Sequence, residues 1–159
     1  MNRIKKILHH KIYLDCLQKL KEFEKDREFC KHTLEHFIDV ARIMYIMALE
    51  NDDNIDKELI YAAGLLHDVG RVKEYENGTP HNIAGLDIIR KIMNDAGFYE
   101  NEINQVLNAV ENHRDENGGR DLLSKYLYEA DKKSRNCFCC MAYDKCKWSE
   151  EEKNRSITK

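Results

Sequence analysis

Apolar residues recur along most of this chain at a spacing of three or four, the period of a helix with one buried face. Residues 2–24 carry Ile4, Ile7, Leu8, Ile12, Leu14 and Leu17 on an approximate stripe and predict a first helix. Residues 27–50, marked by Phe29, Phe37, Val40, Met44 and Met47, predict a second. The run Asn51-Asp52-Asp53-Asn54 ends it with side chains that favour turns. A short buried helix over 56–67 follows, built on Leu59, Ile60, Ala63 and Leu66. Residues 68–80, with Gly70 and Gly78, read as a loop. Thr79-Pro80 reads as a helix start, with Thr as N-cap and Pro in the first turn. The next helix covers 81–94, with Gly97 just beyond it, and another covers 101–113 on Ile103, Val106, Leu107 and Val110. A polar loop over 114–119 leads to a last helix over 121–133. The expected fold is all-α: a single helical bundle of about six helices over residues 1–135, followed by a cysteine-rich appendage over 136–159.

Composition supports long helices, since the 159 residues include one proline and seven glycines. The net charge of −3, with basic residues interleaved among acids, disfavours nucleic acid as a partner but is compatible with a small phosphorylated substrate. The opening residues are broken by Lys and His and lack a signal-peptide core, and no run is apolar enough to span a bilayer. The cytoplasm is the expected location, with no membrane partner; a homodimer stays open. Six cysteines, four of them within 137–146, read as reduced thiols or metal ligands rather than a disulfide framework. The spacing of Cys137, Cys139, Cys140 and Cys146 leaves two readings, zinc or packing around Phe138 and Trp148.

The seven histidines carry most of the chemistry. His67-Asp68 ends the apolar run Ala62-Ala63-Gly64-Leu65-Leu66, and an imidazole beside a carboxylate there calls for compensation, which a metal ion supplies. His36 shares a helix face with Val40, Ile43 and Met47. His113 follows Val106 and Val110, Asp131 follows Leu127 and Ala130, and His81 opens a helix after Pro80. Any one of these would be read as a hydrogen-bonded core histidine or a helix-end acid. Together they describe several buried helix ends converging, which is how helical bundles build metal sites. His9 and His10 sit on a Lys-rich stretch and read as exposed. His32 lies four residues before His36, a spacing that allows an i,i+4 metal pair, but its neighbours Lys31 and Glu35 suggest the surface.

The order His36, His67-Asp68, His81, His113, Asp131 resembles the HD-domain superfamily of metal-dependent phosphohydrolases. Three stretches carry the likeness: His36-Phe-Ile-Asp-Val-Ala-Arg, Ala63-Gly-Leu-Leu-His-Asp-Val-Gly-Arg and Glu129-Ala-Asp-Lys-Lys-Ser-Arg. The resemblance implies one ion held by His36, His67, Asp68 and Asp131, and a second held by Asp68, His81 and His113. Asp68 then bridges the two, and His67 and Asp68 stand at the catalytic centre. Mixed imidazole and carboxylate donors suit two divalent transition ions, Fe or Mn foremost, with Zn, Ni and Co also fitting. Such ions activate water and aim it at phosphorus. Arg71, Arg114 and Arg135 are placed to hold phosphate oxygens, or are simply exposed helix-end arginines. The ligand set is similar to that of the group that splits diadenosine tetraphosphate, and the implied activity is hydrolysis of a phosphate ester or phosphoanhydride in a nucleotide-like molecule. A di-iron oxygenase on the same fold and a metal-binding regulatory module without turnover are the alternatives. No nucleophile motif or phosphate-binding glycine loop is present; Gly118-Gly119 does not join a strand to a helix.

Overall fold

The computed structural model describes residues 1–115 and 121–157. Among these are nine α-helices and no strand: α1 (Asn2–Leu8), α2 (Lys11–Phe23), α3 (Leu34–Glu50), α4 (Lys57–Leu66), α5 (Arg71–Asn77), α6 (His81–Ala84), α7 (Leu86–Ala96), α8 (Glu100–Asn112) and α9 (Leu122–Lys133). The all-α bundle is as expected, and the larger number of segments comes from local interruptions. The first helix breaks at His10, whose ring nitrogen accepts from the Ile12 backbone and caps α2, while its other nitrogen meets Asp95 at 3.0 Å. The second begins only at Leu34, capped by Thr33, so residues 24–33 are largely non-helical. The expected loop over 68–80 contains α5, which ends at Gly78 with φ 79°, the left-handed conformation glycine adopts freely. Pro80, not Thr79, occupies the N-cap of α6, one residue later than expected, and no side chain caps it. Gly85 separates α6 from α7.

α3 runs through the centre, packed against α4 and α9. Its apolar face buries Phe37, Val40, Ala41 and Met44 completely. Two helices approach closely at Gly64 of α4, where a Cβ would fall 2.6 Å from the Cα of Ala41. Glycine is thus what lets the helix carrying His36 lie against the helix ending in His67. Ile60, Leu65, Leu66, Ile89, Ile92, Ile103, Val106 and Leu127 fill the rest of the core. α1 is tied down by Arg3, which reaches Glu58 of α4 at 2.5 Å and Glu102 of α8 at 2.7 Å and stacks on the Phe98 ring at 4.1 Å.

Residues 136–157 hold two 3₁₀ turns, Cys137–Cys139 and Tyr143–Lys145. This segment folds back on the bundle. The Asn154 amide donates to the carbonyls of Lys132 and Arg135, both at 2.8 Å, and so serves the open end of α9. Lys145 pairs with Glu28 at 2.6 Å. Among the described residues, no helix is long and apolar enough to cross a membrane.

Candidate metal centre

Six side chains meet where helix ends converge. His36 stands in the first turn of α3, His67 caps the end of α4, and Asp68 follows it. His81 opens α6, His113 caps the end of α8, and Asp131 lies in the last turn of α9. The four histidines and Asp68 are all buried, Asp68 and His67 wholly so. Asp68 is the hub. Its Oδ2 lies 3.2 Å from His67 Nε2, and its Oδ1 lies 3.3 Å from His81 Nε2 and 3.8 Å from His113 Nε2. Asp131 Oδ1 is 3.2 Å from His36 Nε2 and 3.8 Å from His67 Nε2. The donors form two clusters that share Asp68: His36, His67 and Asp68, and Asp68, His81 and His113.

Hydrogen bonding fixes which ring nitrogen faces the centre. His67 Nδ1 contacts the Gly64 carbonyl at 2.8 Å and His113 Nδ1 the Val110 carbonyl at 2.5 Å. A carbonyl only accepts, so each Nδ1 carries a proton. His81 Nδ1 donates to Glu74 at 2.9 Å. His36 Nδ1 meets the Ser134 hydroxyl at 3.1 Å, and because that hydroxyl already donates to the Asp131 carbonyl, it accepts from the ring. In every neutral ring Nε2 therefore presents a lone pair inward, the arrangement of metal-ligating histidines. The Nε2 atoms of His81 and His113 face each other at 3.3 Å, and a cation between two such lone pairs resolves their repulsion. His36 Nε2, His67 Nε2 and both oxygens of Asp68 are buried without a hydrogen-bond partner. Donor atoms on one ion with bonds of roughly 2.0–2.2 Å stand roughly 3.0–3.6 Å apart, close to the spacings found here. The residues fit divalent metal.

The electrostatics agree for three of the four histidines. Burial pushes His36 and His113 down to about 4, against the pull of Asp131 and Asp68 respectively, so both rings are neutral at pH 7 as ligation requires. Burial likewise lowers His81. Burial opposes the charge on Asp68 and Asp131 too, but their neighbours outweigh it: His67 and Arg71 hold Asp68 well below the usual carboxylate range, and His36 and Arg135 do the same for Asp131. His67 is raised, because Asp68 and Asp131 flank it closely enough to overcome its burial.

Of the three arginines singled out, two reach the site. Arg71 Nε lies 2.9 Å from Asp68 Oδ1, and Arg135 Nη2 lies 2.8 Å from Asp131 Oδ1. Both line a cavity of about 480 Å³ that opens beside Asp131 and whose outer wall includes Cys137, Cys140 and Trp148. Arg114 is exposed and is not brought to this cavity. Gly118-Gly119 lies outside the described residues.

His32 overturns its expected surface position. It is 4% exposed, and its Nε2 lies 3.6 Å from Asp68 Oδ2. The helical reading of 27–50 misplaced it: in the non-helical segment before α3, Lys31 turns outward to the Lys25 carbonyl while His32 turns in. The four-residue spacing to His36 was the one available signal, and it worked through a loop rather than a shared helix face.

An HD domain family model matches residues 33–136. The chain is 41% identical over 157 residues to an uncharacterized protein of Clostridium beijerinckii, covering 99% of each. It is 28% identical over 122 residues to ribonuclease Y of Acetivibrio thermocellus, a match that takes in 77% of this chain but spans only 21% of the ribonuclease. The crystal structure of a predicted HD superfamily hydrolase from an uncultured Thermotogales bacterium superposes with a TM-score of 0.64 at 22% identity, over 87% of this chain and 79% of that one, which shows a shared fold. With Asp68, next to His67, shared by two donor clusters and the family model running from the start of α3 to just past α9, the chain belongs to the HD domain family.

Proposed function

We propose that the chain is a metal-dependent phosphohydrolase that holds two divalent transition ions and cleaves a phosphate ester or phosphoanhydride of a small, nucleotide-like molecule. The observation that carries this reading is the division of Asp68, with Oδ2 turned to the His36–His67 cluster and Oδ1 to the His81–His113 cluster. A carboxylate so placed would serve as a ligand to both clusters. Bound divalent ions would supply a nucleophile from water at neutral pH and neutralise charge gathering on a phosphoryl group. The chain's own groups then do the rest. Arg71 and Arg135 stand between the clusters and the cavity, where their guanidinium forks orient a phosphate dianion. Trp148 and Phe29 on the outer wall offer flat apolar surface for a base or other ring. The cavity admits a mononucleotide-sized ligand.

The test is a substrate panel with protein reconstituted in Mn or Fe: nucleotides, dinucleoside polyphosphates, an aryl phosphate and, because ribonuclease Y is among the relatives, a short RNA. Turnover of a small phosphate compound that disappears in Asp68→Ala supports the reading. Phosphate release in oxygen-18 water is expected to place one label per turnover in the product, with inversion at phosphorus. Cleavage of RNA alone would redirect the substrate assignment. Oxygen-dependent turnover without phosphate release would move the protein to the oxygenase class, and a metal-replete protein inert to all of these would stand as a binding module.

A further inference from the structure

The four histidines of the two clusters do not complete the ring of imidazoles around Asp68. His32, His36, His67, His113 and His81 follow one another at centroid separations of 6.0, 5.4, 5.5 and 5.2 Å, each steeply inclined to the next. His32 comes from the segment between α2 and α3 and sits at the end of the arc nearest His36. Its Nε2 lies 3.6 Å from Asp68 Oδ2, the oxygen that also faces His67. That is too long for a hydrogen bond and falls within the 3.2–3.8 Å range that separates the other histidine and carboxylate donors of the site.

The far side of the ring is held more firmly than for any other histidine here. His32 Nδ1 bonds the Glu24 carboxylate, which also accepts from the His32 backbone N–H at 2.6 Å and from the Tyr75 hydroxyl at 2.8 Å. The Glu24 carboxylate is the common acceptor of these three contacts, so Nδ1 is the donating nitrogen of His32 and Nε2 is the one turned toward Asp68. Both residues are almost wholly inaccessible, Glu24 at 2% and His32 at 4%. Burying a charged acid to orient an imidazole toward a second buried acid is costly unless a cation completes the set. A carboxylate behind the ring and a lone pair toward the centre is the carboxylate–histidine–metal arrangement.

We propose that His32 is a further ligand of the ion held by His36, His67, Asp131 and Asp68 Oδ2, with Glu24 and Tyr75 fixing its ring. The assignment rests on the dinuclear reading above. It makes the centre asymmetric: with His32 the first ion would have three imidazoles and two carboxylates, while the second keeps His81, His113 and the shared Asp68, with positions left for water or substrate. The first ion is therefore the more firmly held, and a chelator removes the two in separate steps.

The decisive measurement uses cobalt(II) as the probe on the full chain. In a cobalt protein the Nδ1–H of each ligating imidazole gives its own hyperfine-shifted, exchangeable proton resonance. The wild-type protein is expected to show five, all protected from rapid exchange by the acceptors described above. His32→Gln should remove one, weaken the first cobalt at least tenfold in chelator competition and alter its d–d absorption. Glu24→Gln should retain five resonances with one displaced, and weaken the same ion about tenfold or more. Four resonances in the wild-type protein, or a folded His32→Gln protein with unchanged cobalt affinity and spectrum, would overturn the assignment. A wild-type chain that binds no cobalt, with His67→Ala indistinguishable from it, would instead refute the dinuclear reading.

Discussion

Asp68 and the arginines near it do different work, and substitutions separate the two kinds. Asp68 is proposed as the one carboxylate shared by both clusters, so Asp68→Ala should lower metal content from near two ions to below one and abolish turnover. His81→Ala removes a donor from one cluster only and should leave about one ion, by elemental analysis after anaerobic reconstitution. Equal and unreduced metal content in both variants would show the donors to be wrongly placed. Arg135 donates to Asp131 at the mouth of the cavity. Its loss would remove the proposed charge-assisted contact to substrate, worth about 1.5–3 kcal/mol, so Arg135→Ala should raise KM about 10- to 100-fold. Arg114→Ala should leave KM within about twofold, since that side chain is exposed away from the cavity. The five residues of Asp68's two clusters, and Asp131 beside them, stand out in the sequence as candidates because each interrupts an apolar helix face or end. His32 does not, because its burial depends on Glu24 and Tyr75, which lie 8 residues before it and 43 after. No local periodicity encodes that meeting.

Helix periodicity predicted the elements well and their breaks poorly, for a physical reason. A buried stripe continues across an interruption when both pieces face the same core, as α1 and α2 do on either side of His10 and α6 and α7 on either side of Gly85. The packing of elements makes its own predictions. Gly64→Ala drives a methyl into Ala41, and overpacking of this kind costs about 1–3 kcal/mol. Because α3 and α4 carry His36 and His67, the same variant should lose metal affinity beyond its loss of stability. A chelator titration run beside a denaturant melt separates the two effects, and unchanged affinity would show that the centre tolerates the shift. The Arg3 network gives a pH prediction. Burial opposes the charges on Glu58 and Glu102, but hydrogen bonds from Arg3 outweigh it and hold both below the ordinary value of 4.5. A depressed carboxylate pKa contributes stability that is present above the unfolded value and lost as pH falls through the folded one. Arg3→Met should thus cost about 1–2 kcal/mol at pH 7, between an exposed and a buried pair, and flatten the decline in stability below pH 4.5. An equally steep acid limb in the variant would assign that decline to other groups.

At the scale of the whole molecule, the centre joins parts of the chain that local structure does not. His36 and Asp131 are 95 residues apart, yet they meet at 3.2 Å, and His81 and His113 arrive from two further helices. Five helix ends thus converge on a wholly buried carboxylate faced by the imidazoles of His67, His81 and His113 and paired with Arg71 alone among the arginines described above. Metal should therefore act as a bolt on the fold as well as a reagent. An ion present at about a thousand times its Kd, binding only the folded chain, adds about 4 kcal/mol of stability. At about 2–4 °C per kcal/mol for a protein of this size, one such ion raises Tm by about 8–16 °C. Calorimetry of the reconstituted protein with and without a strong chelator is expected to show that drop, in two steps if the ions differ in affinity. His67→Ala, lacking a donor in the first cluster, should respond to chelator far less than the wild type. Coincident melting curves for wild-type protein with and without chelator, at a metal content shown to differ, would mean that the helix ends are held together by packing alone.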